Sequence, residues 1–547
     1  MSPKMKISKW IAFVAVIAMM LPTLAACAPA AAPSAAPAAQ PPGATVAPAA
    51  TAAPAPTEAP KPKVLKMGRS YEPFSPFIPW QIDDNPALFL SVNVYDSLLR
   101  MSQDGQTIEP GLATKWEPAA DGLSWTFTLR DGVKYSDGTP MTAEDVKNSI
   151  TLAAKSEKSS WASNYKAIKD VEVVDPKTIR INLTGPFAPL PAVIAMFCAG
   201  ILPSDLANAS EAKDFDVTTA YKTRGTGAYY IDGWKKGETI VLKANPHYWK
   251  GKPDVDEIQI EYIPDDNTRI LKLQGGEVDV IDFVPLSQLA SVAQQPGIKA
   301  APFIIAQMTF IMLNNAAKPL DDPKVRQALN YATDKDAIIK AVYFGLAKFA
   351  NAPIPPGMYQ AKDLPGYKYD LEKAKQLMKE SSAPDGFKIE MQVRAGNSEY
   401  ANVATILKDQ WAKIGVDVNI VNLETSVVRT NYREGKYQSM PSGWTNDMSD
   451  PSQIVNYEMR GGEGTQFAYW TRYNNPALND MITKADLELD PAKRGAMYAE
   501  IQKIFQDASP VIWLGYTPAT AGWRDYVEGF FIDSLSYYRF ENVKLNK

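Results

Sequence analysis

The sequence predicts an α/β fold, and three stretches carry the prediction. Residues 388–420 read as a β-α-β unit: Ile389, Met391 and Val393 alternate as in a strand, and Val403, Leu407, Trp411 and Ile414 stripe one helix face up to Gly415. Val416, Val418 and Ile420 then alternate again. Strands joined through a helix pair in parallel, in a sheet that helices cover. Residues 321–332 read as a second helix, with Asp321-Asp322-Pro323 as a capped start and Val325, Ala328, Leu329 and Ala332 on one face. In residues 121–138, Trp125, Phe127 and Leu129 alternate with Thr126 and Thr128 between Asp-Gly pairs, which accept the backbone of hairpin turns.

Taken in order, the chain begins as an export signal. Lys4, Lys6 and Lys9 precede a short apolar run at residues 11–21, too short to span a bilayer comfortably. Leu24-Ala25-Ala26-Cys27 then matches a lipobox, in which Cys27 is acylated and becomes the first mature residue; the alternative is an ordinary secretory signal with Cys27 incidental. Residues 28–60 are almost entirely Ala and Pro with a little Thr, a composition without apolar periodicity that suits an extended tether. About 490 residues follow, more than one core normally serves. Residues 64–68 read as the first strand, and residues 87–99 carry an apolar face. Thr142 is placed to cap a helix whose first turn holds Glu144 and Asp145, where the macrodipole favours acids.

Residues 111–138 and the helix start at Thr142 resemble the signature of the family 5 bacterial extracellular solute-binding proteins, the dipeptide, oligopeptide and nickel receptors of ABC importers. Further blocks resemble that family in the same order: Gly225-Thr226-Gly227-Ala228-Tyr229-Tyr230 with Asn245-Pro246-His247-Tyr248-Trp249, then Gly276-Glu277-Val278-Asp279, then Leu320-Asp321-Asp322-Pro323 through Leu329. The resemblance runs from Lys63 to the C-terminus. It implies a periplasmic-binding-protein type II fold: two lobes, a hinge, and an extra domain in the first lobe. The implied division is a signal at 1–26, a tether at 27–62, a first-lobe core at 63–95, 225–303 and 522–547, an extra domain at 96–224, and a second lobe at 304–521. The chain is expected to cross between lobes near 301–310 and near 520–523.

Residues 442–451, S-G-W-T-N-D-M-S-D-P, are the densest candidate site. Gly443 lets a backbone come close, Trp444 offers a flat apolar face, and Asp447 and Asp450 follow. The bland reading is an Asx-turn at a strand–loop junction. Arg394 sits between the strand and helix of the β-α-β unit, and ligands in open α/β sheets bind beyond the carboxyl ends of strands. A guanidinium there can grip a carboxylate and an aspartate can hold an ammonium, together reading both ends of a short zwitterion; an internal ion pair between Arg394 and Asp447 is the competing arrangement. Resemblance to the dipeptide receptors implies that Asp447 takes the peptide α-ammonium and Arg394 its carboxylate, although Ala395-Gly396-Asn397 departs from their pattern. Tyr469 and Trp470 are further candidates for the cleft wall, and Tyr95 and Asp96 lie near a lobe edge. His247 is expected to pack among its aromatic neighbours.

Composition narrows the function. The chain has 57 Lys and Arg against 61 Asp and Glu, and loss of the signal lysines makes it more acidic, which argues against nucleic acid. Cys27 and Cys198 are the two cysteines and His247 the one histidine, so neither a zinc cage nor a Cys/His pair has a local signature. No phosphate loop or G-x-S-x-G elbow is present. The reading is therefore not an enzyme, with no cofactor and no metal: an exported, lipid-anchored, monomeric receptor on the periplasmic or extracytoplasmic face. Its expected partners are a short peptide and an ABC permease. An oligosaccharide receptor of the same fold is the alternative, and a pair of opposite charges argues against it, because a neutral sugar needs neither.

Overall fold

Two large sheets, each with helices against it, organise the computed structural model. It describes residues 61–547 apart from 214, 216–223, 351, 356–357, 359–363 and 463–469. The expectations for the signal, Cys27, most of the tether and Tyr469 lie outside these residues.

The first sheet has seven strands in the order Ile298–Phe303, Ala519–Arg524, Val280–Asp282, Val64–Arg69, Glu257–Tyr262, Thr239–Ala244 and Tyr229–Lys235. Val64–Arg69 at its centre runs parallel to both neighbours, and the outer pairs are antiparallel. Leu65, Met67, Ile258 and Ile260 belong to one core, and Ile281, Leu273 and Val278 to another.

The second sheet has six strands in the order Lys348–Phe349, Val511–Tyr516, Gln307–Leu313, Ser439–Thr445, Phe387–Arg394 and Val416–Leu423. Period two decides which core each side chain joins. Along one strand Ile311 and Leu313 join the core under the helices Pro323–Ala332 and Ser398–Ala412, while Met308, Phe310 and Met312 join the core under Pro476–Leu487 and Pro491–Ala508. The predicted β-α-β unit is Phe387–Arg394, Ser398–Ala412 and Val416–Leu423, its strands parallel from Phe387 opposite Val416 to Arg394 opposite Leu423. Gly415 closes the helix at φ +81°, and Gly386 lies so near it that a Cβ there would come within 2.0 Å of the Gly415 carbonyl oxygen.

An antiparallel four-stranded sheet is built on the first half: Ala113–Pro118, Ser124–Leu129, Thr178–Leu183 and Ile168–Asp175. Helix Ala143–Lys155 packs on it behind a capping box. There the Asp145 backbone N–H donates to Thr142 Oγ1 (3.2 Å), and the Thr142 N–H donates to the Asp145 carboxylate (2.9 Å).

The apolar run at 87–99 divides. Asp84 caps the short helix Asn85–Ser91, and Leu99 already belongs to the strand Leu99–Met101. The chain passes between the two large sheets at residues 304–306 and again at 517–518. The return strand starts at Ala519, paired with Phe303, three residues ahead of the boundary expected at 521/522.

Candidate functional site

Ser439–Thr445 ends at the carboxyl edge of the second sheet, parallel to Phe387–Arg394 with Met391 opposite Ser439. Beyond the strand, the Asn446 N–H donates to the Ala306 carbonyl at one of the crossings between halves (2.9 Å), and Trp444 Nε1 donates to Asn446 Oδ1 (2.9 Å). Trp444 is half-buried and stacks on Tyr457, with centroids 4.0 Å apart. Gly443 allows a close approach: a Cβ there would lie 3.2 Å from both the Met308 carbonyl oxygen and the Tyr400 hydroxyl, which would have to give by a few tenths of an ångström.

The two aspartates of this segment have opposite fates. Asp450 caps the next turn by accepting from the Ser452 N–H (2.8 Å). Its two oxygens also take both terminal nitrogens of buried Arg494 at 2.6 Å. It is a structural ion pair. Asp447 forms no ion pair among the described residues. The Gln453 side-chain amide donates to its Oδ2 (3.2 Å), while Gln453 Oε1 accepts from the Asp447 N–H (3.0 Å). Burial pushes the Asp447 carboxyl up to about 7, and the Gln453 amide offsets only part of that.

Arg394 is also without a counter-ion among the described residues. It does not pair with Asp447, and its buried Nε has no hydrogen-bond partner. Its guanidinium carbon lies 5.8 Å from the ring centroid of Tyr400, the residue whose hydroxyl abuts Gly443. Arg394 and Gly443 thus flank one tyrosine on adjacent parallel strands.

A cavity of about 370 Å³ opens beside Asp447. From the second half it is lined by Trp444, Asp447, Gln453, Asn456, Tyr457 and Asp486; Trp161, Asn164 and Phe187 close it from the first half. Arg394 lies outside this lining. The halves touch around it: the Tyr537 hydroxyl donates to the Asp447 carbonyl (3.3 Å), and the Ala188 N–H donates to the Asp486 carbonyl (2.9 Å).

Trp470 packs on Tyr432 and on Tyr457, the ring that stacks on Trp444, and does not line the cavity. Tyr95 and Asp96 are buried in the first half. The Tyr95 hydroxyl donates to the Phe77 carbonyl, and Asp96 accepts from Trp249 Nε1 (2.8 Å). His247 is exposed, contrary to expectation; Tyr248 and Trp249 supply the packing that was assigned to it, because a turn after Asn245 aims His247 outward. Cys198 is buried with the Tyr165 hydroxyl 3.2 Å from its sulfur, and burial pushes its thiol up to about 12, an inert setting. Among the described residues no three His, Cys, Asp or Glu side chains are grouped to hold a metal, and no helix is long and apolar enough to cross a membrane.

Sequence reasoning missed Gln453, Asn456 and Asp486, which ordinary polar helix faces conceal, and the wall from 160–187, which only the fold brings near.

A family model for bacterial extracellular solute-binding proteins, family 5 (middle), matches residues 107–466. The chain is 31% identical over 492 residues to the dipeptide-binding protein of Escherichia coli K12, covering 84% of this chain and 92% of that one. It is 32% identical over 479 residues to heme-binding protein A of Haemophilus influenzae, covering 83% and 87%. Among solved structures, the periplasmic binding protein DppA of Helicobacter pylori in complex with the peptide STSA matches with a TM-score of 0.74 at 28% identity, covering 88% of this chain and 98% of that one. HbpA2 from Haemophilus parasuis matches at 0.77 and 29% identity, covering 88% and 100%.

Proposed function

We propose that this chain, which belongs to the family 5 bacterial extracellular solute-binding proteins, captures short peptides between its two lobes and presents them to the permease of an ABC importer. As a member of that family it is a transport receptor and not an enzyme. The observation that carries the peptide reading is Asp447: a desolvated carboxylate on a cavity wall, without a cation among the described residues, three residues before an aspartate that is fully paired. An unpaired buried charge is costly, so a site that keeps one is shaped for a cationic group from outside. Asp447 takes the peptide α-ammonium, and Arg394, whose Nε is likewise orphaned, takes the α-carboxylate.

The register supports a short ligand. Three residues on from the Met391–Ser439 pair, Arg394 stands level with Ser442. Asp447 is five residues further along, at most about 16 Å at 3.3 Å per residue, and the arginine side chain spans part of that. Dipeptides are the favoured length. An oligosaccharide would stack on Trp444 but would leave both charges unpaired.

Losing either anchor strands the ligand's opposite charge, at about 2–5 kcal/mol, roughly thirtyfold to several-thousandfold in affinity. Calorimetric titration with one peptide in free, N-acetylated and C-amidated forms tests this. Asp447→Ala is expected to erase the advantage of the free N-terminus and Arg394→Ala that of the free C-terminus; equal affinity of wild type for all three forms would sink the proposal.

The lobes are assigned as a first-lobe core at 63–95, 225–303 and from 519 onward, an extra domain at 96–224, and a second lobe at 304–518. The receptor acts as a monomer on the extracytoplasmic face, anchored through acylated Cys27. Acyl chains in number give durable attachment. Cys27→Ser protein is expected in the soluble exported fraction or as precursor, and retention as firm as wild type would refute the anchor.

A further inference from the structure

Asp486 is the second carboxylate on the wall of the Asp447 cavity, on the last turn of helix Pro476–Leu487. Its Oδ2 accepts from Asn456 Nδ2 (2.9 Å), and that amide nitrogen also donates to the Ser452 carbonyl (2.9 Å). Its Oδ1 is sealed from solvent and has no hydrogen-bond partner among the described residues. Arg494 and Arg460 are the cations that act on it, and neither forms an ion pair with it among the described residues; Arg494 is taken by Asp450. Arg460 is committed elsewhere, with Nε donating to Asn456 Oδ1 (2.8 Å) and Nη1 to Thr483 Oγ1 (3.0 Å). Lys166, across the cavity, is exposed. Burial pushes the Asp486 carboxyl up to about 6, while Asn456, Arg494 and Arg460 favour its ionised form. The carboxylate torsion is broad, so the orphaned oxygen can turn toward the cavity at little cost.

We propose that Asp486 is a second cation subsite of the cavity, so that the preferred ligand is a peptide whose first residue carries a basic side chain. The inference rests on Asp447 holding the α-ammonium. With the amine fixed there, the first side chain enters the same small cavity. A lysine ammonium sits on a flexible four-carbon stem, suited to reach a second carboxylate on that wall. Trp444 and Tyr457 offer the stem an apolar surface. Closure completes the subsite, because the Asp486 carbonyl accepts from the Ala188 N–H of the opposite lobe.

The test is calorimetry on full-length wild type, Asp486→Asn and Lys166→Ala with three dipeptides: Lys-Ala, norleucine-Ala and Ala-Ala. Wild type is expected to prefer Lys-Ala to norleucine-Ala tenfold or more, and Asp486→Asn to lose that preference, its affinity for Lys-Ala falling further than its affinity for Ala-Ala. Lys166→Ala is expected to keep the preference, since Lys166 is exposed and forms no ion pair with Asp486 among the described residues. A wild type that binds Ala-Ala but does not tell lysine from norleucine overturns this inference alone. A preference that survives in Asp486→Asn also overturns it. A wild type that binds none of the three overturns the peptide reading and this inference with it.

Discussion

Asp447 and Asp450 stand three residues apart, and the difference between them is one of partners. Arg494 meets Asp450 in a bidentate pair that is buried on both sides. Truncating Arg494 to Ala leaves a buried charge uncompensated and is expected to cost about 3–5 kcal/mol, read as a fall in denaturant midpoint without a change in slope. Asp447 behaves in the opposite way. Its folded carboxyl is raised to about 7 by burial; in the unfolded chain it titrates near 4. Below about pH 4 both states are protonated and Asp447 contributes nothing. Between 4 and 7 the unfolded state ionises first, so ligand-free stability falls as pH rises, and above 7 the loss is complete. Asp447→Asn is therefore expected to match wild type at pH 4 and exceed it at pH 8 by about 2–4 kcal/mol, while peptide affinity of wild type climbs as pH rises toward 7. A difference between the two proteins that stays flat with pH would contradict this account. Only the resemblance to the dipeptide receptors separated the two aspartates in the sequence; their local chemistry did not. Which one Arg494 would claim was not legible, because the partner lies 44 positions away on another helix.

Local periodicity made the elements readable wherever one face is buried. The β-α-β unit and the capped helices at Thr142 and Pro323 follow from spacing and caps. The run 87–99 did not, since apolar residues buried on every side give no period from which to separate the helix Asn85–Ser91 from the strand Leu99–Met101. His247 illustrates a related failure: its neighbours are aromatic in sequence, yet the backbone turn alone decides which of them face inward. Gly386 offers a test at this scale. It holds φ +87°, with the Gly415 carbonyl oxygen 2.0 Å from where a Cβ would stand. Gly386→Ala must move backbone at the start of a central parallel strand, at a cost of at least about 1–3 kcal/mol. Gly345 also has positive φ but open space around it, so Gly345→Ala is expected to lose clearly less in the same thermal melt.

The whole molecule joins its two sheet-centred lobes by short crossings at 304–306 and 517–518, and the cavity wall comes from both sides of them. Near the site the halves meet through two hydrogen bonds, Tyr537 to the Asp447 carbonyl and Ala188 to the Asp486 carbonyl, and through Met448, which packs in the apolar core of the first half. Each of the two bonds exchanges a hydrogen bond to water for one to protein, a net gain of about 1 kcal/mol at best. A ligand shifts the lobes toward closure only by binding the closed state better than the open one. A ligand anchored only to the second lobe would shift nothing. On the proposed reading, a peptide anchored at Asp447 would close the lobes by also meeting the opposite cavity wall, which includes Trp161, Asn164 and Phe187. Small-angle scattering is expected to show a smaller radius of gyration with saturating peptide than without. Phe187→Ala is expected to weaken binding and the compaction together, because it removes ligand contact from the first lobe only. Retention of full compaction in that variant, or an unchanged radius in wild type, would mean that closure does not depend on the ligand bridging the lobes.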